Sequence, residues 1–306
     1  MKTVIVGLGI QGKKRLLHSG HNVVATVDPF LQEATYKSIE QVSLDSYDCA
    51  LVATPDNAKD TILKYLVRHR KHILVEKPLS LDSKRWFSEM QRNARANKVL
   101  IYTAYNHRFE PNFVKIKHFL ESKVIGKIYT CRMFYGNGTA RLVKESAWRD
   151  QSFGVLQDLG SHLLDTVDYW FGHSSLSQVI ANVSNLENSA PDHVITSFKM
   201  RKILFNLEMS LCSWKNTFEC DIIGSEGSLH IRGLCKWGTS EFMHRARKKP
   251  SGVPEEIFHI EPMGDPTWKL EYQFFTSQIA SEAITNLAKD YWIASSLNDI
   301  YGYGQK

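Results

Sequence analysis

Thr3-Val4-Ile5-Val6-Gly7-Leu8-Gly9-Ile10-Gln11-Gly12 decides the fold. The β-branched run Thr3–Val6 makes a short strand, glycines follow in the spacing G-x-G-x-x-G, and Lys13–Ser19 continues as a helix that Gly20 can close. In that order the first glycine permits a tight turn, the second lets the backbone approach a pyrophosphate, and the third lets helix and strand pack closely. The helix N-terminus attracts the anion. Asn22–Val27 is the next apolar run, and Asp28 ends it, 16 residues beyond Gly12. A carboxylate there can accept both hydroxyls of an adenosine ribose and repels a 2′-phosphate. No Arg or Lys directly follows it, so the reading is NAD, held by Gly7, Gly9, Ile10, Gln11, Gly12 and Asp28.

Working outward, strand and helix alternate. Cys49–Ala53 reads as strand, Asn57–Val67 as helix, Ile73–Glu76 as strand, Ser83–Ala96 as helix and Val99–Thr103 as strand. Helices between strands call for a parallel, doubly wound sheet, so this part is α/β. Beyond about residue 120 the pattern changes to α+β. Ser177–Asn185, His193–Met200, Ile203–Ser213, Phe218–Ile223 and Ser228–Ile231 read as antiparallel strands, with helices near Leu156–Trp170 and Lys269–Leu287. The expected division is residues 1–120 for the cofactor and 121–306 for substrate and oligomerisation, which suits a 306-residue chain.

Composition excludes other classes. With 43% hydrophobic, 23% charged and 11% aromatic residues the chain is ordinary globular protein. Its 38 Lys and Arg against 32 Asp and Glu give a formal charge of +6, which suits small anionic ligands as readily as nucleic acid. Arg68–His72 and Arg245–Lys249 are basic runs, the second read as an exposed loop, but neither has interleaved aromatics, so no nucleic-acid partner is expected. No apolar run reaches the eighteen or so residues that span a bilayer, and no membrane partner is expected. Cys49, Cys131, Cys212, Cys220 and Cys235 are scattered without a C-x-x-C pair, which speaks for a reducing cytoplasm and against a thiolate zinc site. His69-x-x-His72 sits among basic neighbours that oppose a cation, so no metal is expected.

Val75-Glu76-Lys77-Pro78-Leu79, with Thr54-Pro55-Asp56 before it and Asp158-Leu159-Gly160-Ser161-His162-Leu163-Leu164-Asp165 after it, resembles the glucose-fructose oxidoreductase and inositol dehydrogenase family over nearly the whole chain. The resemblance implies an N-terminal Rossmann domain, a C-terminal domain on an open, mostly antiparallel sheet, and hydride transfer between NAD and a sugar or polyol carbon. It adds Thr54, Pro55, Glu76 and Lys77 to the cofactor contacts and implies a homo-oligomer, dimer or tetramer, in which a partner covers the open sheet. Lys59 and Arg70 depart from the pattern, standing where members often carry His and a helix-closing Gly.

Tyr135–Arg141, Trp148-Arg149-Asp150 and the run Gly160-Ser161-His162-Leu163-Leu164-Asp165 together are similar to members acting on nucleotide-activated sugars. Those members oxidise C3 of a UDP-N-acetylhexosamine, in cell-surface glycan (lipopolysaccharide) biosynthesis. Oxidising a secondary alcohol needs a base and a placed hydride acceptor. Asp158 and His162 are four apart and share a helix face, which makes His162 the general base and Asp158 its partner. Lys77 would stabilise a developing alkoxide, and family members differ over whether the lysine or the histidine takes the proton first. Tyr105, Arg108 and Arg149, with Asp158 and His162, are candidate substrate contacts; for Arg108 and Arg149 an ion pair competes equally. Asp165 reads as a structural hydrogen bond or a substrate contact. The other functions open to the sequence are a dehydrogenase of a free sugar or polyol and a non-catalytic NAD(H) sensor.

Overall fold

The computed structural model describes residues 1–79, 83–146 and 149–305. The first part of the chain runs β1 (Thr3–Val6), α1 (Ile10–Ser19), β2 (Val23–Val27), β3 (Cys49–Val52), α2 (Asp56–Arg68), β4 (His72–Glu76), α3 (Lys84–Ala96) and β5 (Ile101–Ala104). These strands form a wholly parallel sheet in the order β2-β1-β3-β4-β5. Alternation along each strand divides the core. Val4, Val6, Ala50, Val52, Ile73 and Val75 face Leu63 and Leu66 of α2 and Phe87 of α3. Ile5, Leu51 and Leu74 face the opposite side. A strand beyond β2 is reduced to a single parallel bridge, Val27 to Tyr36, with the Tyr36 amide on Thr26 and the Asp28 amide on Tyr36. Residues 28–35 are too few for the helical crossover that a full parallel strand needs.

The second part adds α4 (Pro111–Glu121), β6 (Ile128–Gly136), α5 (Ala140–Lys144), α6 (Ser161–Phe171) and seven further strands. Those are β7 (Ser177–Ser184), β8 (His193–Met200), β9 (Ile203–Ser210), β10 (Thr217–Gly224), β11 (Gly227–Arg232), β12 (Ser240–Ala246) and β13 (Glu255–Glu261). The sheet runs β13-β12-β11-β10-β6-β9-β8-β7, antiparallel except where β6 meets β9. One face is closed by α4 and α6: Phe113 packs on Trp170 and Phe218, and the Trp170 indole donates to the Phe113 carbonyl. The other face shows Ile180, Ile195 and Ile223 to solvent. The chain ends with α7 (Thr267–Ala280) and α8 (Ala288–Gly304).

Contacts divide the chain into two compact units, Met1–Asn106 with Pro266–Ala294, and His107–Asp265 with Ser295–Lys306. In the first, Tyr272 and Phe275 of α7 cover the Ile5 and Leu51 side of the sheet. Among the described residues no helix is long and apolar enough to cross a membrane.

Several elements differ from the sequence reading. β6, β12 and β13 are strands, and the basic run begins inside β12, where Arg245 pairs with Glu256 across to β13. β13 is an exposed edge without polar alternation, and the charges at the end of β12 imitate a loop. The helix expected over Lys269–Leu287 ends at Ala280, and α8 follows it. The helix expected over Leu156–Trp170 opens with a π turn, Leu156–Gly160, before α6.

Candidate active site

In the first unit the glycine turn is built as the spacing requires. Gly7 has φ +90°, and a Cβ there would lie 2.6 Å from the Ala53 carbonyl oxygen; one on Gly12 would lie 1.8 Å from the Gly7 oxygen. A Cβ on Gly9 would meet nothing within 4 Å, so the backbone is open where an anion would approach the start of α1. Asp28 is buried at the end of β2. Its carboxylate accepts the Leu8 amide at 2.9 Å on one oxygen and those of Phe30 (2.9 Å) and Leu31 (3.0 Å) on the other. Burial raises its pKa, but these amides outweigh it and hold the carboxyl below its ordinary range. Three of about four acceptor positions are thus in use, which leaves room for one ribose hydroxyl.

Glu76-Lys77-Pro78 is gripped from two sides. Arg15 of α1, almost wholly buried, donates to Glu76 at 2.7 Å and to Glu271 of α7 at 2.6 Å, with its guanidinium 4.4 Å from the Trp268 ring centre. Burial opposes its charge, and the two carboxylates outweigh burial and push its pKa up. Lys59 of α2 donates to the Glu76 carbonyl at 2.7 Å and the Pro78 carbonyl at 2.9 Å, and pairs with Asp56 at 2.6 Å. Burial, partly offset by Asp56, lowers its pKa. The residue that departs from the family pattern therefore holds the backbone on both sides of Lys77. The Lys77–Pro78 bond is cis. Arg70, the other departure, takes φ 57° itself, and its amide and that of Lys71 bond back to Val67 and Leu66 as a closing glycine would allow. Tyr105 is buried, with the Lys289 ammonium 4.7 Å from its ring centre. Thr54 and Pro55 join β3 to α2, and Pro55 caps that helix. His72 accepts the Leu100 amide through Nδ1, and burial lowers its pKa.

In the second unit His162 lies buried on α6, its ring stacked on His107 with centroids 4.0 Å apart and planes 18° off parallel. Tyr135 of β6 stands 6.1 Å from His162 and 5.5 Å from His107. Lys236 donates to His107 Nε2 at 3.1 Å and to the Tyr135 hydroxyl at 3.3 Å, with its ammonium 4.5 Å from the Trp237 ring centre. Burial lowers the Lys236 pKa against the pull of Asp265, Glu110 and Asp158. Glu110 accepts the Cys235 amide at 2.7 Å and its thiol at 3.2 Å; burial pushes the thiol up to about 12.

Asp158 sits in the π turn and accepts Arg149 Nη2 at 3.4 Å, both side chains about a third exposed. Arg108 grips Asp165 through two bonds of 2.8 Å and reaches Asp168 at 2.6 Å, an ion pair that ties the start of this unit to α6. Asp150 accepts the Ser189 and Ala190 amides, and Trp148 lies outside the described residues. Arg15, Lys59, Glu271, His107 and Lys236 were not assigned from sequence. Lys59 carried a signal as a departure from the pattern, and His107 lies between the candidate substrate contacts Tyr105 and Arg108.

Residues 1–105 match a family model described as an oxidoreductase family with an NAD-binding Rossmann fold, and residues 113–230 match a GFO/IDH/MocA C-terminal domain. The chain belongs to the Gfo/Idh/MocA oxidoreductase family. Glucose-6-phosphate 3-dehydrogenase of Bacillus subtilis (strain 168) is 26% identical over 298 residues, covering 89% of this chain and 79% of that relative. An inositol 2-dehydrogenase/D-chiro-inositol 3-dehydrogenase of Lactiplantibacillus plantarum is 23% identical over 256 residues, covering 75% and 71%. Levoglucosan dehydrogenase, solved in complex with NADH and levoglucosan, has the same fold at a TM-score of 0.85 and 19% identity, over 100% of this chain and 97% of that one. Family membership and the open glycine turn agree on NAD as the cofactor of the first unit.

Proposed function

We propose that the protein oxidises a secondary hydroxyl of a sugar, for which NAD supplies the hydride acceptor. The observation that carries this reading is that each unit holds one functional side chain in a network built for it. Lys77 sits between two carbonyls that Lys59 grips, and His162 is stacked on His107. Lys77 supplies a fixed positive charge to a developing alkoxide, His162 takes the hydroxyl proton, and Asp158 supports the resulting imidazolium. Thr54, Pro55, Glu76 and Asp28 complete the cofactor contacts, while Tyr105 and Arg149 contact substrate.

The finer reading is C3 of a UDP-linked N-acetylhexosamine in cell-surface glycan synthesis in the cytoplasm, and it rests on the Tyr135–Arg141, Trp148-Arg149-Asp150 and Gly160–Asp165 segments together. The second reading is a free sugar or polyol, favoured by the relative that acts on inositols, while the relative that acts on glucose 6-phosphate speaks for a sugar without a nucleotide. A panel of UDP- and dTDP-sugars, sugar phosphates, free sugars and inositols, followed by the absorbance of reduced nicotinamide, separates the two. An intact protein that binds NAD and reduces it with none of them contradicts both and favours an NAD(H) sensor. Homo-oligomerisation is supported by the apolar residues on the open sheet face, Ile180, Ile195 and Ile223, and by β13, where Phe258 and Ile260 are each 50% exposed. A monomeric mass by light scattering at micromolar concentration rejects it.

A further inference from the structure

We infer that Lys236 is a positioning residue that keeps the His107–His162 stack uncharged, so that His162 is available as a base near neutral pH. The inference rests on the proposed role of His162. Lys236 is far from His162 in sequence and comes from the segment after β11, yet its ammonium bonds directly to His107 Nε2 at 3.1 Å. A lysine ammonium only donates, so His107 Nε2 is the acceptor and cannot also hold a proton. Lysine ordinarily binds its proton about four pH units more tightly than imidazole; burial narrows that margin and Asp265, Glu110 and Asp158 restore part of it, so the shared proton is assigned to Lys236 and His107 keeps its own on Nδ1.

The stack extends this constraint to His162. Rings 4.0 Å apart and nearly parallel place any imidazolium charge on His162 directly over His107, whose far edge already faces a cation. Like charges at such range disfavour protonation. Tyr135 from β6 and Lys236 from the loop face the pair, and the charges acting on Lys236 are Glu110, Asp265 and Asp158, the last in the π turn with Arg149 on it. Three carboxylates thus favour the charged form of Lys236 against its burial, while Tyr135 and Trp237 fix where that charge sits. The ammonium acts on the base through His107.

Imidazole titration by NMR tests this in the full chain without substrate, so it stands or falls apart from the proposed function, which the substrate panel decides. Signals are assigned with His107→Asn and His162→Asn. In the unsubstituted protein His107 is expected as the neutral Nδ1–H tautomer at pH 7, by long-range ¹⁵N correlation. Lys236→Met, similar in length and uncharged, should raise the His107 midpoint by about one pH unit or more and that of His162 in the same direction by less. With an active substrate, the acidic limb of kcat/KM should move up with His162 in Lys236→Met and stay in place in Lys236→Arg. An Nε2–H tautomer or a charged His107 at pH 7 in the unsubstituted protein overturns the inference whether or not the variant folds. So do unchanged midpoints in a folded Lys236→Met, or a loss of rate equal at every pH.

Discussion

The E-K-P turn of the first unit and the histidine stack of the second are both surrounded by buried charge, but they use it differently. Around Lys77 every supporting charge is closed in a pair: Arg15 with Glu76 and Glu271, and Lys59 with Asp56 and two carbonyls. Around His162 the supporting groups are a stacked ring, a lysine that shares a hydrogen bond with an imidazole, and a long Asp158–Arg149 contact. The first arrangement fixes backbone. The second fixes where protons sit, which is the kind of group whose charge must change in a reaction.

If that contrast is right, substitutions in the two regions should fail in different ways. The largest effect on stability should come from Arg15→Met, which leaves Glu76 and Glu271 buried without their cation. It should cost about 3–5 kcal/mol in a denaturant melt, and a loss below about 1 kcal/mol would show the clamp is not structural. Asp28→Asn should weaken NAD by about 1.5–3 kcal/mol in isothermal titration, since it loses the charge that assists the ribose bond, and should bring NADP affinity closer to that of NAD. Equal NAD and NADP affinities in the unsubstituted protein would contradict that assignment.

On the open sheet face, Asp221 is a control with no proposed part in the reaction. Its carboxylate bonds to His230 Nδ1 and Arg232 at 2.6 Å each and is lowered from 3.8 to about 2, burial opposing and the two partners prevailing. A depressed carboxyl stabilises above its unfolded pKa, and that contribution disappears as pH falls from 3.8 through about 2. The acid limb of a thermal-stability profile should therefore flatten in Asp221→Asn while activity near neutral pH is unchanged. The smallest effect is at Arg70, whose φ of 57° strains a side chain that is not glycine. Arg70→Gly should raise stability by about 0.5–1 kcal/mol, the left-handed strain relieved less the extra entropy of an unfolded glycine.

What the sequence revealed follows from the same contrast. Gly7 and Gly12 could be read because their roles are local, a positive φ and a Cβ that would strike the preceding turn, and Asp28 because it ends the strand after the glycine helix; the three amides on its carboxylate were not legible. The parallel sheet followed from apolar runs spaced by helices. Clamps such as Arg15 to Glu271, or Lys236 to His107, join residues far apart in the chain, and no periodicity or spacing announces them. The Asp158–His162 spacing read as one regular helix, whereas Asp158 lies in a π turn that ends where α6 begins. β12 and β13 were hidden because an exposed edge carries no strict polar alternation, and all but the last residue of β13 are exposed.

The most direct test of the central claim, that the first unit binds NAD while His162 in the second moves the proton, measures binding and turnover on the same samples. NAD affinity by fluorescence titration and kcat by reduced-nicotinamide absorbance would be compared for Lys77→Ala, His162→Ala and the unsubstituted protein. NAD affinities within a few-fold of one another are expected, with kcat lower by roughly 10²–10⁴ in each variant. Near-normal turnover in His162→Ala with an unchanged pH profile, or a fall in NAD affinity large enough to explain the whole loss, would contradict it.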